Sequence, residues 1–171
     1  MKLLILELEG TLVEFGEPGG AWVELDLIGF EKPKEPKYRG LIIRDRTHER
    51  LMYYKERGYT IIVMTHRPDV AMGTVTLDDV FSLFMTVNGL LGNIIDGFMV
   101  CPDHPDGVVT KYAVASKCYE SKSGLLPKLY EELKTTAEDI EDAIVVSHLE
   151  DRDWVFAADN GWRYRTPAEF F

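Results

Sequence analysis

The chain has 171 residues, 46% of them hydrophobic and 11% aromatic, which is the composition of one folded domain with a buried core. Its 29 acidic and 19 basic residues leave a net charge of −10, which argues against a broad nucleic-acid or anionic-membrane surface, since either needs a basic footprint. No apolar run approaches the roughly 20 residues of a membrane span; the first one is short and carries Glu7 and Glu9, and two cysteines make no disulfide framework, so a soluble cytoplasmic protein is expected.

Residues 3–8 are nearly continuous in apolar side chains and read as a strand buried on both faces. The stretch 15–40 is punctuated by Gly16, Pro18, Gly19, Gly20, Pro33, Pro36 and Gly40, with Lys32, Lys34 and Lys37 between them. It reads as a long loop with one short strand at about 22–27. A helix over 45–57 stops at Gly58, and Thr-Ile-Ile-Val-Met at 60–64 is a second buried strand. Thr76, Leu77, Asp78 and Asp79 predict a capped helix running to about Leu91. The hydroxyl accepts from first-turn N–H groups, and the acids face the positive helix end. A third strand follows at 97–101. A helix over 124–134 sets Leu125, Leu126, Leu129, Tyr130 and Leu133 on one face. A fourth strand at 143–147, a helix at 151–160 ended by Gly161, and a short strand near Arg163 and Tyr164 complete the chain. Alternating strands and helices predict an α/β, three-layer Rossmann-like fold: a parallel sheet with helices on both faces. Ligands in such folds bind beyond the carboxyl ends of the strands, where Glu7, Thr65 and the segment 147–151 fall.

Glu7-Leu8-Glu9-Gly10-Thr11-Leu12 resembles the Asp-x-Asp-Gly-Thr-Leu signature of the haloacid dehalogenase (HAD) superfamily, with both aspartates replaced by glutamate. In that family the first carboxylate attacks phosphorus and the second moves the leaving-group proton. By the same resemblance, Thr65 matches the hydroxyl that grips the phosphoryl group. Lys122 matches the lysine that neutralises nucleophile and phosphate. The run Val145-Val146-Ser147-His148-Leu149-Glu150-Asp151-Arg152-Asp153 matches the segment whose acids hold Mg²⁺. The implied Mg²⁺ set is Glu7, Glu9 and either Asp151 or Asp153. Register on Leu149-Glu150-Asp151 favours Asp151; distance to Gly161 favours Asp153. Within the superfamily, three segments resemble those of the small heptose-bisphosphate and histidinol-phosphate phosphatases. They are Thr65-His66-Arg67-Pro68 with Thr76-Leu77-Asp78-Asp79, then Cys101-Pro102-Asp103-His104-Pro105, then 118–125. This resemblance puts His66 and Arg67 at substrate-contact positions. The tail Thr166-Pro167-Ala168-Glu169-Phe170-Phe171 is similar to the end of polynucleotide 3′-phosphatase domains.

The departures matter as much. Glu7 and Glu9 each carry one methylene more than aspartate. About 1 Å of misplacement in an in-line geometry costs on the order of 100-fold. Ser147 stands where the family has a metal-binding aspartate, and Tyr119-Glu120 stand where it has Arg-Lys. Taken singly, Thr65 is an ordinary strand-end residue, Lys122 a surface lysine, and Asp151 and Asp153 first-turn helix acids; their common register carries the expectation of a site.

Relatives of this type hold a structural Zn²⁺ with four Cys and His ligands. The matching positions here are Cys101, Asp103, Ser116 and Cys118, with His104 nearby. A closed zinc site wants four good N or S ligands, so two buried free thiols are the expectation. The stretch 15–40 lies where larger HAD proteins insert a cap domain and is too short to be one, which leaves a site closed only by loops. Two functions of different class follow. One is a Mg²⁺-dependent phosphomonoesterase acting on a small phosphorylated metabolite, such as a sugar phosphate or histidinol phosphate. The other is a HAD-fold protein with lost or strongly weakened turnover that binds a phosphorylated small molecule or a protein partner.

Overall fold

The computed structural model describes residues 1–15, 22–24 and 41–171. Five parallel strands form the central sheet: β1 (Lys2–Leu6), β5 (Tyr59–His66), β6 (Gly97–Cys101), β7 (Asp142–Val146) and β8 (Arg163–Arg165), in the order β6-β5-β1-β7-β8. β1 is central, with Leu6 opposite Val63 of β5 and Val146 of β7. The predicted parallel α/β architecture is what the chain adopts.

Two cores lie on the two faces, and strand alternation assigns residues to them. Leu4, Leu6, Ile61, Val63, Ile144 and Val146 face one way. They pack against Leu51 of α1 (Thr47–Lys55), Leu83, Phe84 and Val87 of α3 (Leu77–Leu90), and Phe170 of α7 (Pro167–Phe170). Leu3, Ile5, Ile62, Met64, Ala143 and Val145 face the other way. They meet Leu126 and Leu129 of α5 (Leu126–Leu133) and Phe156 and Ala157 of α6 (Glu150–Asp159). α3 begins with a reciprocal cap: Thr76 Oγ1 accepts from Asp79 N, and the Asp79 carboxylate accepts from Thr76 N.

The small antiparallel sheet β2-β4-β3 differs from expectation. It is built from β2 (Val13–Phe15), β3 (Trp22–Glu24) and β4 (Leu41–Arg44). β3 falls within the predicted 22–27 strand; β4 was hidden in four residues between a Gly/Pro-rich tract and a helix. The rest of the expected loop, 16–21 and 25–40, lies outside the described residues. The short α2 (Pro68–Ala71) and α4 (Lys117–Glu120) also went unpredicted. Among the described residues, no helix is long and apolar enough to cross a membrane.

Candidate active site

The site is built on the carboxyl end of β1. Leu3 and Ile5 point to the α5–α6 face, so the alternation carries Glu7 to that face too. There its carboxylate is buried, 4% exposed, with Oε2 2.6 Å from Lys122 Nζ and Oε1 accepting from Leu8 N at 2.9 Å. Lys122 opens the 3-10 turn Lys122–Leu125 that leads into α5. It is no surface lysine. It is 2% exposed and donates to Asp153 Oδ2 at 2.5 Å. One ammonium therefore sits between two buried carboxylates.

Helix geometry separates Asp153 from Asp151. Asp153, Phe156 and Ala157 stand at i, i+3 and i+4 and form the buried stripe of α6. Asp151, two residues earlier, is exposed and lines an open groove with Trp154, Tyr164 and Arg165. Asp153 is thus the acid on the Glu7 face, and Asp151 is not brought to it. The apolar Phe156-Ala157 pair was a usable signal in the sequence for this choice.

Glu9 makes a different cluster. Arg67 Nη1 donates to Glu9 Oε1 at 2.8 Å, while its Nη2 and Nε grip both oxygens of Asp69 at 2.6 and 3.1 Å. Burial pushes the Glu9 carboxyl above its ordinary value, and the Arg67 charge only partly offsets this. Burial alone would lower Arg67, but its bonds to Asp69 and the charge of Glu9 leave it raised. Expected as a substrate contact, Arg67 instead has its donors committed to protein carboxylates.

Thr65, buried at 1% exposure, stands near the end of β5 beside Val100 of β6. His66 follows it. Its Nε2 lies 3.0 Å from the Asp103 carbonyl and its Nδ1 lies 2.8 Å from Arg152 Nη1. Nε2 is therefore the donor and Nδ1 the acceptor, a neutral ring, and burial lowers its pKa. Arg152 Nη2 also donates to the Tyr119 carbonyl at 2.7 Å. Nothing in the sequence pattern had marked Arg152 as the strut joining α6, β5 and α4. Gly10 has a positive φ, and a Cβ there would lie 2.5 Å from the His148 ring, so His148 covers the signature turn only because Gly10 has no side chain. Ser147 is fully buried, and its Oγ accepts from Leu149 N.

Two oxygens bear on Mg²⁺. Asp153 Oδ1 is buried without a donor. Glu7 Oε2, although close to Lys122, lies outside hydrogen-bonding angles and also lacks one. Unsatisfied carboxylate oxygens are the ligands a hard cation takes, so Glu7 and Asp153 fit a Mg²⁺ ion. Ser147 Oγ is neutral and already accepts from Leu149 N.

Zinc fits less well. Cys101, Asp103 and Cys118 have their ligand atoms within 4.8 Å of one another. However, the two sulfurs are joined as a disulfide, which corrects the expectation of free thiols. Two cysteines too few for a framework still make one bond, because β6 and α4 bring them together. His104, the expected substitute ligand, stands outside this group, and its Nδ1 accepts from Asp106 N. With the sulfurs bonded to each other, Asp103 and Ser116 do not make a closed zinc site.

No protein-family model matches the chain. It is 30% identical over 82 residues to D-glycero-beta-D-manno-heptose-1,7-bisphosphate 7-phosphatase of Yersinia pestis. It is 32% identical over 75 residues to the D-glycero-alpha-D-manno enzyme of Burkholderia mallei (strain ATCC 23344). These matches take in 46% and 42% of the chain, and the chain spans less than half the length of either relative, 44% and 40%. In fold it is similar to D,D-heptose 1,7-bisphosphate phosphatase from B. bronchiseptica, complexed with magnesium and phosphate. The TM-score is 0.63 at 17% identity, over 96% of this chain and 79% of that one. With its parallel sheet and the carboxylate-x-carboxylate signature at the tip of β1, the chain shares the fold of that phosphatase and, over part of its length, is similar in sequence to heptose-bisphosphate phosphatases.

Proposed function

We propose that the chain binds a small phosphorylated metabolite at the β1 tip and has lost, or strongly weakened, phosphomonoesterase turnover. The replacement of both signature aspartates by the longer Glu7 and Glu9, with Glu7 Oε2 2.6 Å from Lys122 Nζ, carries this proposal. An attacking carboxylate needs a free oxygen in line with phosphorus. Here both Glu7 oxygens are occupied, Oε1 by Leu8 N and Oε2 against the ammonium of Lys122, and the added methylene sets them one bond further out than aspartate would. The second carboxylate, Glu9, is tied to Arg67, so its role as proton donor is also engaged. Thr65 is left for phosphate, Lys122 reaches it only in competition with Glu7 and Asp153, and Arg152 ties α6 to His66 of β5 and Tyr119 of α4. Mg²⁺, when bound by Glu7 and Asp153, supplies positive charge against the phosphoryl oxygens. A sugar phosphate is the ligand class suggested by the relatives, and histidinol phosphate is implied by the motif resemblance alone.

Turnover as an active Mg²⁺-dependent phosphatase is the competing function. The unsatisfied oxygens of Glu7 and Asp153 favour it, as they suit a cation. Hydrolysis of p-nitrophenyl phosphate with Mg²⁺ separates the two. The expected rate is near background and indifferent to Glu7→Gln; robust turnover abolished by Glu7→Gln would establish the enzyme.

A further inference from the structure

We propose that Cys101 and Cys118 are a reversible thiol–disulfide pair whose oxidation state holds, or releases, the turn that seats Lys122 between Glu7 and Asp153. The zinc-type ligand set of this region is reduced here to two sulfurs, and those sulfurs are bonded to each other. The bond joins two segments that both end in the site. Cys101 closes β6, and its carbonyl accepts from Arg67 N at 2.8 Å. Cys118 lies in α4, four residues before Lys122. α4 is pressed onto the lysine turn: a Cβ on Gly124 would lie 2.3 Å from Cys118 N. Ser121 N donates to the Lys117 carbonyl, and Gly124 N to that of Ser121. Motion of α4 therefore moves Lys122.

Both oxidation states have partners in place. Cys101 is buried, but Cys118 is only half-buried and so offers a sulfur to attack. In the disulfide-bonded chain the Ser116 hydroxyl lies 3.2 Å and the Asp103 carboxylate 3.7 Å from Cys118 Sγ, placed to partner the thiol that reduction would form. The reductant is a dithiol. Its thiolate attacks Cys118 Sγ, the S–S bond breaks, and the electron pair leaves on Cys101 Sγ, which takes up a proton. The second thiol then displaces Cys118 as a thiol, and the donor ends as its own disulfide. Two electrons and two protons pass to the protein. Closing a loop with a sequence separation of 17 restricts the open chain, so its loss loosens this segment first.

Hydrogen exchange on the full chain, with and without dithiothreitol, tests the switch. Reduction is expected to speed exchange of the Tyr119, Ser121 and Gly124 amides about tenfold or more, with β1 and β5 unchanged. The double variant Cys101→Ser/Cys118→Ser should match the reduced chain without any reductant. Equal exchange in both states overturns the proposal. So do two thiols alkylated in unreduced, denatured protein, or stoichiometric zinc on reduced sulfurs. The part played by Lys122 toward phosphate rests on the function proposed above. It is read separately, as binding of inorganic phosphate with Mg²⁺: absence of binding in both redox states defeats that function, while the exchange result alone decides the switch.

Discussion

The two glutamates of one signature meet opposite fates. Glu7 enters a buried triad with Lys122 and Asp153, where each side chain is at most 4% exposed. Glu9 enters an open cluster with Arg67 and Asp69, where its side chain is 42% exposed. The turn after β1 decides this: the strand ends at Leu6, and the chain folds back on itself from Leu8, whose carbonyl accepts from Leu12 N, so Glu9 no longer follows the alternation that carries Glu7. In the buried triad a charge cannot be altered without stranding another. In the open cluster water relieves part of any change.

The largest expected effect is therefore in the triad. Lys122→Met leaves two buried carboxylates facing each other and should cost about 3–5 kcal/mol, read from the denaturant midpoint. Glu7→Asp with Glu9→Asp withdraws both acids from their cations. It should raise p-nitrophenyl phosphate hydrolysis on the order of 100-fold over the parent chain. No recovery would place the remaining defect at Ser147 and Glu120. In the open cluster, Arg67→Ala should cost less, about 1–3 kcal/mol, because Glu9 and Asp69 regain water.

A smaller effect lies at the neutral His66. Its folded pKa is below the ordinary 6.5. As pH falls through that value the unfolded chain takes up the proton first, so stability present at neutral pH is lost with acidification. His66→Gln should flatten this acid slope in melts below neutral pH. The smallest effect separates two neighbours: Asp151→Asn should leave Mg²⁺ binding unchanged, while Asp153→Asn weakens it.

Much of this was legible in the sequence, where the pattern was long and regular. The buried strands and the capped helix α3 announced themselves, and the motif register brought Glu7 and Lys122 together. The choice between Asp151 and Asp153 stayed open in the sequence, although the apolar residues one helical turn after Asp153 were a usable signal. The antiparallel sheet was not legible, because β2 and β4 are three and four residues long and pair across a tract whose composition signals only loop. The Cys101–Cys118 bond and the Arg152 strut were not legible either. Both join residues far apart in the chain through contacts that no local period encodes.

If turnover is lost as proposed, Glu7 is held as an ion-pair partner of Lys122 and does not attack phosphorus. Acid-quenching the chain after incubation with acetyl phosphate and Mg²⁺, then weighing the peptide that contains Glu7, tests it directly. An unmodified Glu7 peptide in the parent chain, with a phosphorylated one in Glu7→Asp, is the predicted result; a phosphoryl group on Glu7 of the parent chain would contradict it.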